Sequence, residues 1–500
     1  MELLKNSINW NTLTKTFQDA IMLTRKLGLH YIWIDSLCII QDDENDWRVE
    51  ASKMAGIYEN AELVVSATGS SDGSEGLFRE RKPVQILASD DTQDSSTVRE
   101  YGSFHKIIHM HGPECSDKDC PIYVCRDTAR HAQWDSFDLI AQSSTQFNPL
   151  LTRAWAFQER LLATRIVHFA DHELVWECKE TQRCECMHLD RSDGRPILER
   201  SSDNIKPRFS KATSASQSSQ VQLELYELWA KVVESYTERV LTFEKDRLPA
   251  LDGAIRKMQK LNLGPCIGGL FLSEIPRCLL WYVSEPGTRH EGYRAPTWSW
   301  ASIMPPIKQP PRIKYLWHHY AEGLGTYDYF PEEACIEPLG GLVMVDGPVT
   351  EESQFGLHFR GPLISATLNI EITNQSHLNV EGGYGFMLHN TPPRNYRYSI
   401  SRNEQSISFE PDILLHMGCS NMESSCEVSL VAIARRFNQK RADQILVLKR
   451  LESEEDYAGI GMLLQKFEDP VFSRIGIITK LKDDGKNWFD DAEKKPIIMF

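Results

Sequence analysis

A chain of 500 residues is too long for one hydrophobic core, and its 41% hydrophobic and 10% aromatic content supplies apolar surface for two or three domains. A net charge of −15 argues against a nucleic-acid binder, which carries a basic stripe. The start of the sequence has no basic-then-apolar leader, and no apolar run approaches the roughly 20 residues that span a bilayer, so the chain reads as soluble and cytoplasmic.

Leu13, Phe17, Ile21 and Thr24 recur at helical spacing, with Leu27 closing the face and Gly28 as a C′ stop, which predicts a helix over 12–27. Leu29–Ile34 has the composition of a strand buried on both faces, and it ends on Asp35, where open parallel sheets gather ligands. Asp46 is a good N-cap for a helix over 46–58 that places Trp47, Glu50, Met54 and Tyr58 on one face. Ala61–Thr68 reads as the next strand, and the Gly/Ser-rich loop 69–76 leaves it without the Gly-Lys-Ser/Thr of a phosphate-binding loop. It is read as a flexible loop first and a phosphate or ribose cradle second. Strand, helix and strand in this order form a βαβ unit, so the expectation is an α/β domain with a mostly parallel sheet.

Residues 84–146 read as a polar loop insertion with one strand at 121–126. A helix capped by Thr152 follows, with Trp155, Gln158, Glu159 and Leu162 on one side. Strands Arg165–Phe169 and Glu173–Cys178 then stand a hairpin loop apart. The Ser-, Asp- and Lys-rich stretch 191–219 reads as a linker, after which come a helix over Leu223–Tyr236 and another opened by Pro249. From about 306 short β-rich runs dominate: Gly341–Val345, Leu363–Ile372, Val428–Ala434, Ile445–Leu451 and Ile475–Thr479. The expected division is 1–190, a linker over 191–219, a helical segment 220–305 and a β-rich domain 306–500, α+β overall. Twelve cysteines without regular spacing fit a reducing compartment. Cys115, Cys120 and Cys125 are too openly spaced for zinc, and Cys178, Cys184, Cys186 and His188 read as reduced thiols with a neighbouring imidazole, so no metal is assigned.

The block Tyr31-Ile32-Trp33-Ile34-Asp35-Ser36-Leu37-Cys38-Ile39-Ile40-Gln41-Asp42, Trp47 with Glu50 and Met54, Tyr58 with Asn60-Ala61, Gly76-Leu77-Phe78, and Pro149 through Leu162 resemble the fungal heterokaryon incompatibility (HET) domain family. The resemblance extends to Trp176-Glu177-Cys178 and so covers about 13–180. Arg294–Ser302 matches a segment seen downstream in such proteins, and its Trp298 and Trp300 are expected to pack between domains. The Ser-Tyr/His-Cys-Trp-Gly block usual in the family is not found, so the sequence reads as N-terminally short.

The resemblance implies an intracellular effector of fungal non-self recognition and programmed cell death, with protein partners in incompatibility signalling and self-association. It also implies a Toll/interleukin-1 receptor (TIR)-like fold and, as an alternative, an NAD glycohydrolase with NAD as substrate and no other cofactor. A further alternative is an inactive interaction scaffold. By the same resemblance Glu50 matches the catalytic glutamate near a Trp; Asp35 and Ser36 at the strand end, Trp47 beside Glu50, and Arg153, Trp155 and Glu159, which repeat the Trp-plus-Glu pairing, are read as ligand-binding residues. Structural roles stand beside these: Glu50 pairing with Lys53, Asp35 capping the next turn, and an Arg153/Glu159 network tying its helix to the sheet. Cys38 lies in an apolar run and reads as a buried thiol.

Overall fold

The computed structural model describes residues 7–78, 105–109, 121–125, 148–171, 173–185, 205–214, 222–275, 277–283, 286–290, 292–304, 312–315, 331–344, 355–373, 395–402, 405–409, 411–412, 425–436, 442–458, 467, 469–478, 488–489 and 492–500. Cys115, Cys120, Cys186, His188 and most of the 84–146 stretch lie outside them. The chain divides into two compact units, residues 1–224 with 249–257, and residues 225–248 with 258–500.

In the first unit, helix α1 (Lys15–Lys26) starts on Thr14, whose side chain caps the Phe17 amide, and it stops at Gly28, whose φ of +73° needs a residue without a Cβ. Gly76, at φ +78°, lies so close to this helix that a Cβ would stand 2.4 Å from Asp19 Oδ2. Asp19 is fully buried, pairs with Lys15 and accepts the Leu77 amide at 2.9 Å. Thr16 Oγ1 accepts the Gly76 amide and the Thr16 amide donates to Gly73 O. The loop 69–76, expected to be flexible, is therefore tied to α1 at Gly73 and Gly76.

Leu29–Ile34 corrects the sequence reading, because it carries no strand and runs into a short helix α2 (Asp35–Cys38). A strand exists by its ladder, and composition specifies burial without specifying a partner. Here Tyr31 is 93% exposed and Ile32 39%, so the apolar run is not enclosed on two faces. Cys38, read as buried, is exposed. The next helix, α3 (Glu44–Asn60), begins two residues earlier than expected. Asp43 caps it, accepting from the Asn45 and Asp46 amides, while Asp46 turns back to accept the Ile40 amide at 2.8 Å.

Strand β1 (Val64–Ser66) opens the main sheet of this unit. A separate hairpin pairs β2 (His105–His109) with β3 (Pro121–Cys125), which meets the strand expected at 121–126. Helix α4 (Ala154–Leu162) and strands β4 (Arg165–Phe169), β5 (Leu174–Cys178) and β6 (Gln182–Cys184) follow. The sheet order is β1-β4-β5-β6, in which only β1–β4 is parallel; β4–β5 and β5–β6 are antiparallel. The expected mostly parallel sheet therefore reduces to one parallel pair. The 165–169/174–178 hairpin is where the loop length put it. Helix α5 (Ile205–Ser214) lies inside the stretch read as a linker.

One ionic network crosses this unit. Arg160 of α4 grips Glu177 of β5 with two bonds of 2.8 and 3.0 Å. Gln182 of β6 donates to Glu177 Oε1 at 2.7 Å, and Lys206 of α5 stands 4.0 Å from Oε2. His168 of β4 donates from Nε2 to Glu177 (3.1 Å) and accepts at Nδ1 from Thr68 Oγ1 (2.9 Å), which in turn meets Ser66 Oγ at 2.8 Å. All of these side chains are buried. Burial pulls His168 down to about 4, so it is neutral and the tautomer follows from its two partners. Burial lowers Lys206 to about 8 against the pull of Glu177. Although burial alone would raise it, Glu177 stays well below the ordinary carboxylate range because Arg160 and Lys206 favour its charged form.

In the second unit, helix α6 (Gln222–Thr237) continues from residue 225 and its Tyr236 meets Trp300 edge to face at 6.2 Å. Trp298 and Trp300 are fully buried, Trp281 Nε1 donates to Trp298 O, and Trp229 Nε1 to Gly269 O. These partners all lie in this unit, so the tryptophan pair expected between domains is core. The large sheet closes on itself: β7 (Phe355–Thr373) pairs β8 (Ser425–Arg436), which pairs β9 (Ala442–Arg450), then β10 (Val471–Ile478), β11 (Lys494–Met499) and β7 again. Within this circuit only β10–β11 is parallel. Strand β7 closes the circuit because Leu357–Pro362 pair with β11 while Leu363–Asn369 pair with β8. Closure removes the edges that a long apolar strand would expose, and Leu368, Ile400, Leu430, Ile445 and Val447 fill the interior. Beside it Arg474 is fully buried over the Trp281 ring (3.7 Å), donating to Asp412 at 2.7 Å and to Leu279 O at 2.6 Å.

Replacing Glu177 by Ala is expected to destabilise the first unit by about 3–5 kcal/mol, since Arg160 and Lys206 would keep buried charge with no carboxylate to answer it. The measurement is chemical denaturation followed at a first-unit tryptophan, with a Glu238→Ala variant of the second unit as comparison.

Candidate functional site

The face shared by α3 and α4 gathers most of the residues singled out in the sequence. Trp47 of α3 and Trp155 of α4 meet edge to face, with ring centroids 6.4 Å apart. Trp33, in the coil before α2, meets Tyr58 of α3 in the same manner at 5.7 Å. Both are preferred geometries for aromatic pairs. Glu159 stands one turn after Trp155 on α4, so the two side chains share a helical face.

Glu159 is the electrostatic centre of this group. Burial, and then the Asp35 carboxylate, raise it to about 7; the Tyr58 hydroxyl, which donates to it, and Arg153 oppose the rise. Tyr58 is itself raised well above the ordinary phenol value, chiefly by burial and then by Glu159 and Asp35. Asp35 begins α2 and its Oδ1 accepts the Ser36 amide at 2.7 Å. Gln41 Nε2 donates to Ile39 O at 3.1 Å, and Asp46 holds the Ile40 amide, so the turn that carries Asp35 is braced from α3. Asp35, Ser36 and Arg153 are exposed, whereas Tyr58 and Glu159 are partly enclosed, so the group has a solvent side and an inner side. A carboxyl that exchanges its proton near neutrality, beside a second carboxylate, a phenol and a guanidinium, is equipped for acid–base work on a polar ligand.

Glu50 has other company. It pairs with Lys53 at 2.7 Å, the structural alternative weighed for it from the sequence, with 22% of its side chain exposed. Helical spacing placed it correctly beside Trp47 and Met54 along α3, but spacing does not choose between a neighbour one turn on and a partner on another helix. Asp35, Trp47, Arg153, Trp155 and Glu159 are brought together, and Ser36 enters through its backbone amide. Tyr58 and Trp33 were not among the expected ligand-binding residues. The signal for Tyr58 was available in its place on the Trp47–Met54 face, and that for Trp33 in its position two before Asp35. Among the described residues, no three His, Cys, Asp or Glu side chains gather as a metal ion would require, and no helix is long and apolar enough to cross a membrane.

Residues 2–159 match the family model described as heterokaryon incompatibility protein (HET). No curated protein and no solved structure matches the chain.

Because the folded Glu159 holds its proton up to about 7, against roughly 4.3 for an ordinary glutamate, the folded state binds more protons than the unfolded one between these values. The stability it contributes is full below the unfolded value and is lost as pH rises through about 7. A loss on the order of 2 kcal/mol between pH 4.5 and 7.5 is expected relative to Glu159→Gln, which has no proton to lose. Paired denaturation curves of the two proteins across this range measure it.

Proposed function

From the membership of residues 2–159 in the heterokaryon incompatibility family, we propose that this chain acts in fungal non-self recognition as an effector of programmed cell death. In this reading its N-terminal unit houses the effector site at Glu159, Asp35, Tyr58 and Arg153. The observation that carries it is Glu159, a carboxyl poised near neutral pH next to a second carboxylate. Burial of that kind is costly where it serves only packing, and perturbed groups beside a specific charge partner concentrate at functional sites. The family role gives the site its context, with protein partners that trigger it and the β-rich unit supporting or restraining it.

A second reading is favoured by the same carboxyl pair: cleavage of NAD by a TIR-like mechanism. Breaking the bond from ribose C1′ to the pyridinium nitrogen sends its electron pair to that nitrogen and leaves an oxocarbenium-like ribosyl centre. In this reading the Asp35 carboxylate steadies such a centre, as glycosidase carboxylates do. Ionised Glu159 then takes the proton of the water whose oxygen bonds to C1′. A base whose proton affinity lies near the working pH is the efficient choice for this step. Trp47 and Trp155 offer aromatic faces for a planar ring.

Glu159→Gln keeps the side chain's shape and is expected to abolish killing on overexpression in a fungal host, with NAD loss falling by about 10²–10⁴-fold if the second reading holds. Glu50→Gln, which removes only a partner of Lys53, is expected to kill like wild type. Equal killing by wild type and Glu159→Gln sinks the proposed site, and killing without NAD loss sinks the second reading alone. Circular dichroism of each variant checks that the fold is kept.

A further inference from the structure

The first unit is not continuous in sequence. After residue 224 the chain passes into the second unit, returns for 249–257, and leaves again. The returning stretch forms a turn at Pro249–Leu251 and helix α7 (Asp252–Gln259). It lies well beyond the residues 2–159 that match the family, and its contacts are specific. The Gly253 amide donates to Gln158 Oε1 of α4 at 2.7 Å, and Lys257 Nζ binds Glu59 of α3 at 2.7 Å. Gly253 has no room for a side chain: a Cβ there would stand 2.4 Å from Ala55 Cβ of α3, 2.8 Å from Gln158 Oε1 and 3.1 Å from Leu162 of α4. Its φ is not positive, so the requirement for glycine at this position is close approach and not backbone conformation.

The two residues gripped by α7 directly adjoin the two that form the inner side of the site, Glu59 after Tyr58 and Gln158 before Glu159. Successive residues of a helix point about 100° apart, so α7 holds α3 and α4 on one face while Tyr58 and Glu159 meet on another. We propose that α7 is a positioning element for the candidate site: by clamping Glu59 and Gln158 it fixes the spacing of α3 and α4 at which the Tyr58 hydroxyl reaches Glu159. Gln158, Gly253 and Lys257 are its positioning residues. The inference rests on Glu159 and Tyr58 being the site. It gives the unit a requirement outside the family-matching segment, in the stretch 249–257 that the chain contributes on its return to the first unit.

The experiment uses the full chain with Gly253→Ala, which wedges α7 away without straining its backbone, and Lys257→Met, which removes one bond and keeps the stem. Amide hydrogen exchange is read over 54–60 and 154–162, with β4 and β5 as internal reference, and Glu159 is titrated by carboxyl carbon resonance against Glu159→Gln. Exchange in the two helix segments is expected to rise about tenfold in Gly253→Ala and less in Lys257→Met, with the Glu159 midpoint falling towards ordinary carboxylate values while β4 and β5 keep their protection. A uniform rise that includes β4 and β5 marks a merely structural role and overturns the proposal, as does a midpoint that stays near that of wild type in both variants. A wild-type Glu159 that titrates as an ordinary carboxylate sinks the site reading itself, an outcome distinct from failure of the clamp.

Discussion

The first unit is organised around a single buried carboxylate. Glu177 receives two bonds from Arg160, one from Gln182 and one from His168, with Lys206 at the edge of ion-pair range. These groups come from β4, β5, β6, α4 and α5, so one side chain ties together the five elements of this unit that lie between residues 154 and 214. Such a network is a poor source of net stability, because withdrawing ions from water costs about as much as their attraction returns. What it supplies is a unique arrangement, since any slip of α4 along the sheet would strand Arg160 or Glu177. Burial is the main reason that Lys206 gives up its proton easily, at about 8, and that His168 is held neutral, and the charge of Arg160 adds to both effects.

This constraint reaches the candidate site through three consecutive residues. Gln158 faces α7, Glu159 faces Asp35 and Tyr58, and Arg160 faces Glu177. Helix α4 is short, yet it is held on both flanks of the one residue whose protonation matters. A carboxyl near neutrality is sensitive to small changes in the distance of its neighbours, because each pKa unit corresponds to about 1.4 kcal/mol of differential interaction. Fixing the helix on either side of Glu159 is therefore what keeps that value defined.

How much of this was legible in the sequence follows from the range of each interaction. Periodicity found α1, α3, α4 and α6, and loop length found the β4–β5 hairpin, because neighbours within a few residues decide those features. The C-terminal strands were legible for the same reason, though β7 extends well beyond the apolar run Leu363–Ile372 because its first half pairs with the strand Glu337–Met344 and with β11. Leu29–Ile34 misled because composition cannot say whether a ladder partner exists. Glu50 and Glu159 looked alike as acids one turn or less from a Trp; Glu50 keeps the lysine three residues on in its own helix, and only the tertiary fold gives Glu159 a carboxylate, a phenol and an enclosed face. Lys206 sat in a stretch whose polar composition reads as a linker, although Ile205, Phe209 and Ala212 already marked a helical apolar stripe. The return of 249–257 to the first unit left no sequence signal at all, since it depends on contacts roughly a hundred and two hundred residues away.

The juxtaposition of Glu159 and Arg160 shows why local pairing rules fail at such a place. Neighbouring opposite charges invite the reading of a mutual pair, and a guanidinium held against Glu159 would drive its carboxyl down to the ordinary range or below. Instead Arg160 is committed to Glu177, and the only cation acting on Glu159 among its principal influences is Arg153, which is exposed and outweighed by burial and Asp35. Helix α4 thus separates a cation-rich interior, where every group is locked in one protonation state at neutral pH or close to it, from a carboxylate-rich side where one group is free to change state. The buried network and the candidate site are two consequences of the same fact: Arg160 is spent on holding the fold, and because it is, Glu159 keeps a proton affinity that chemistry can use.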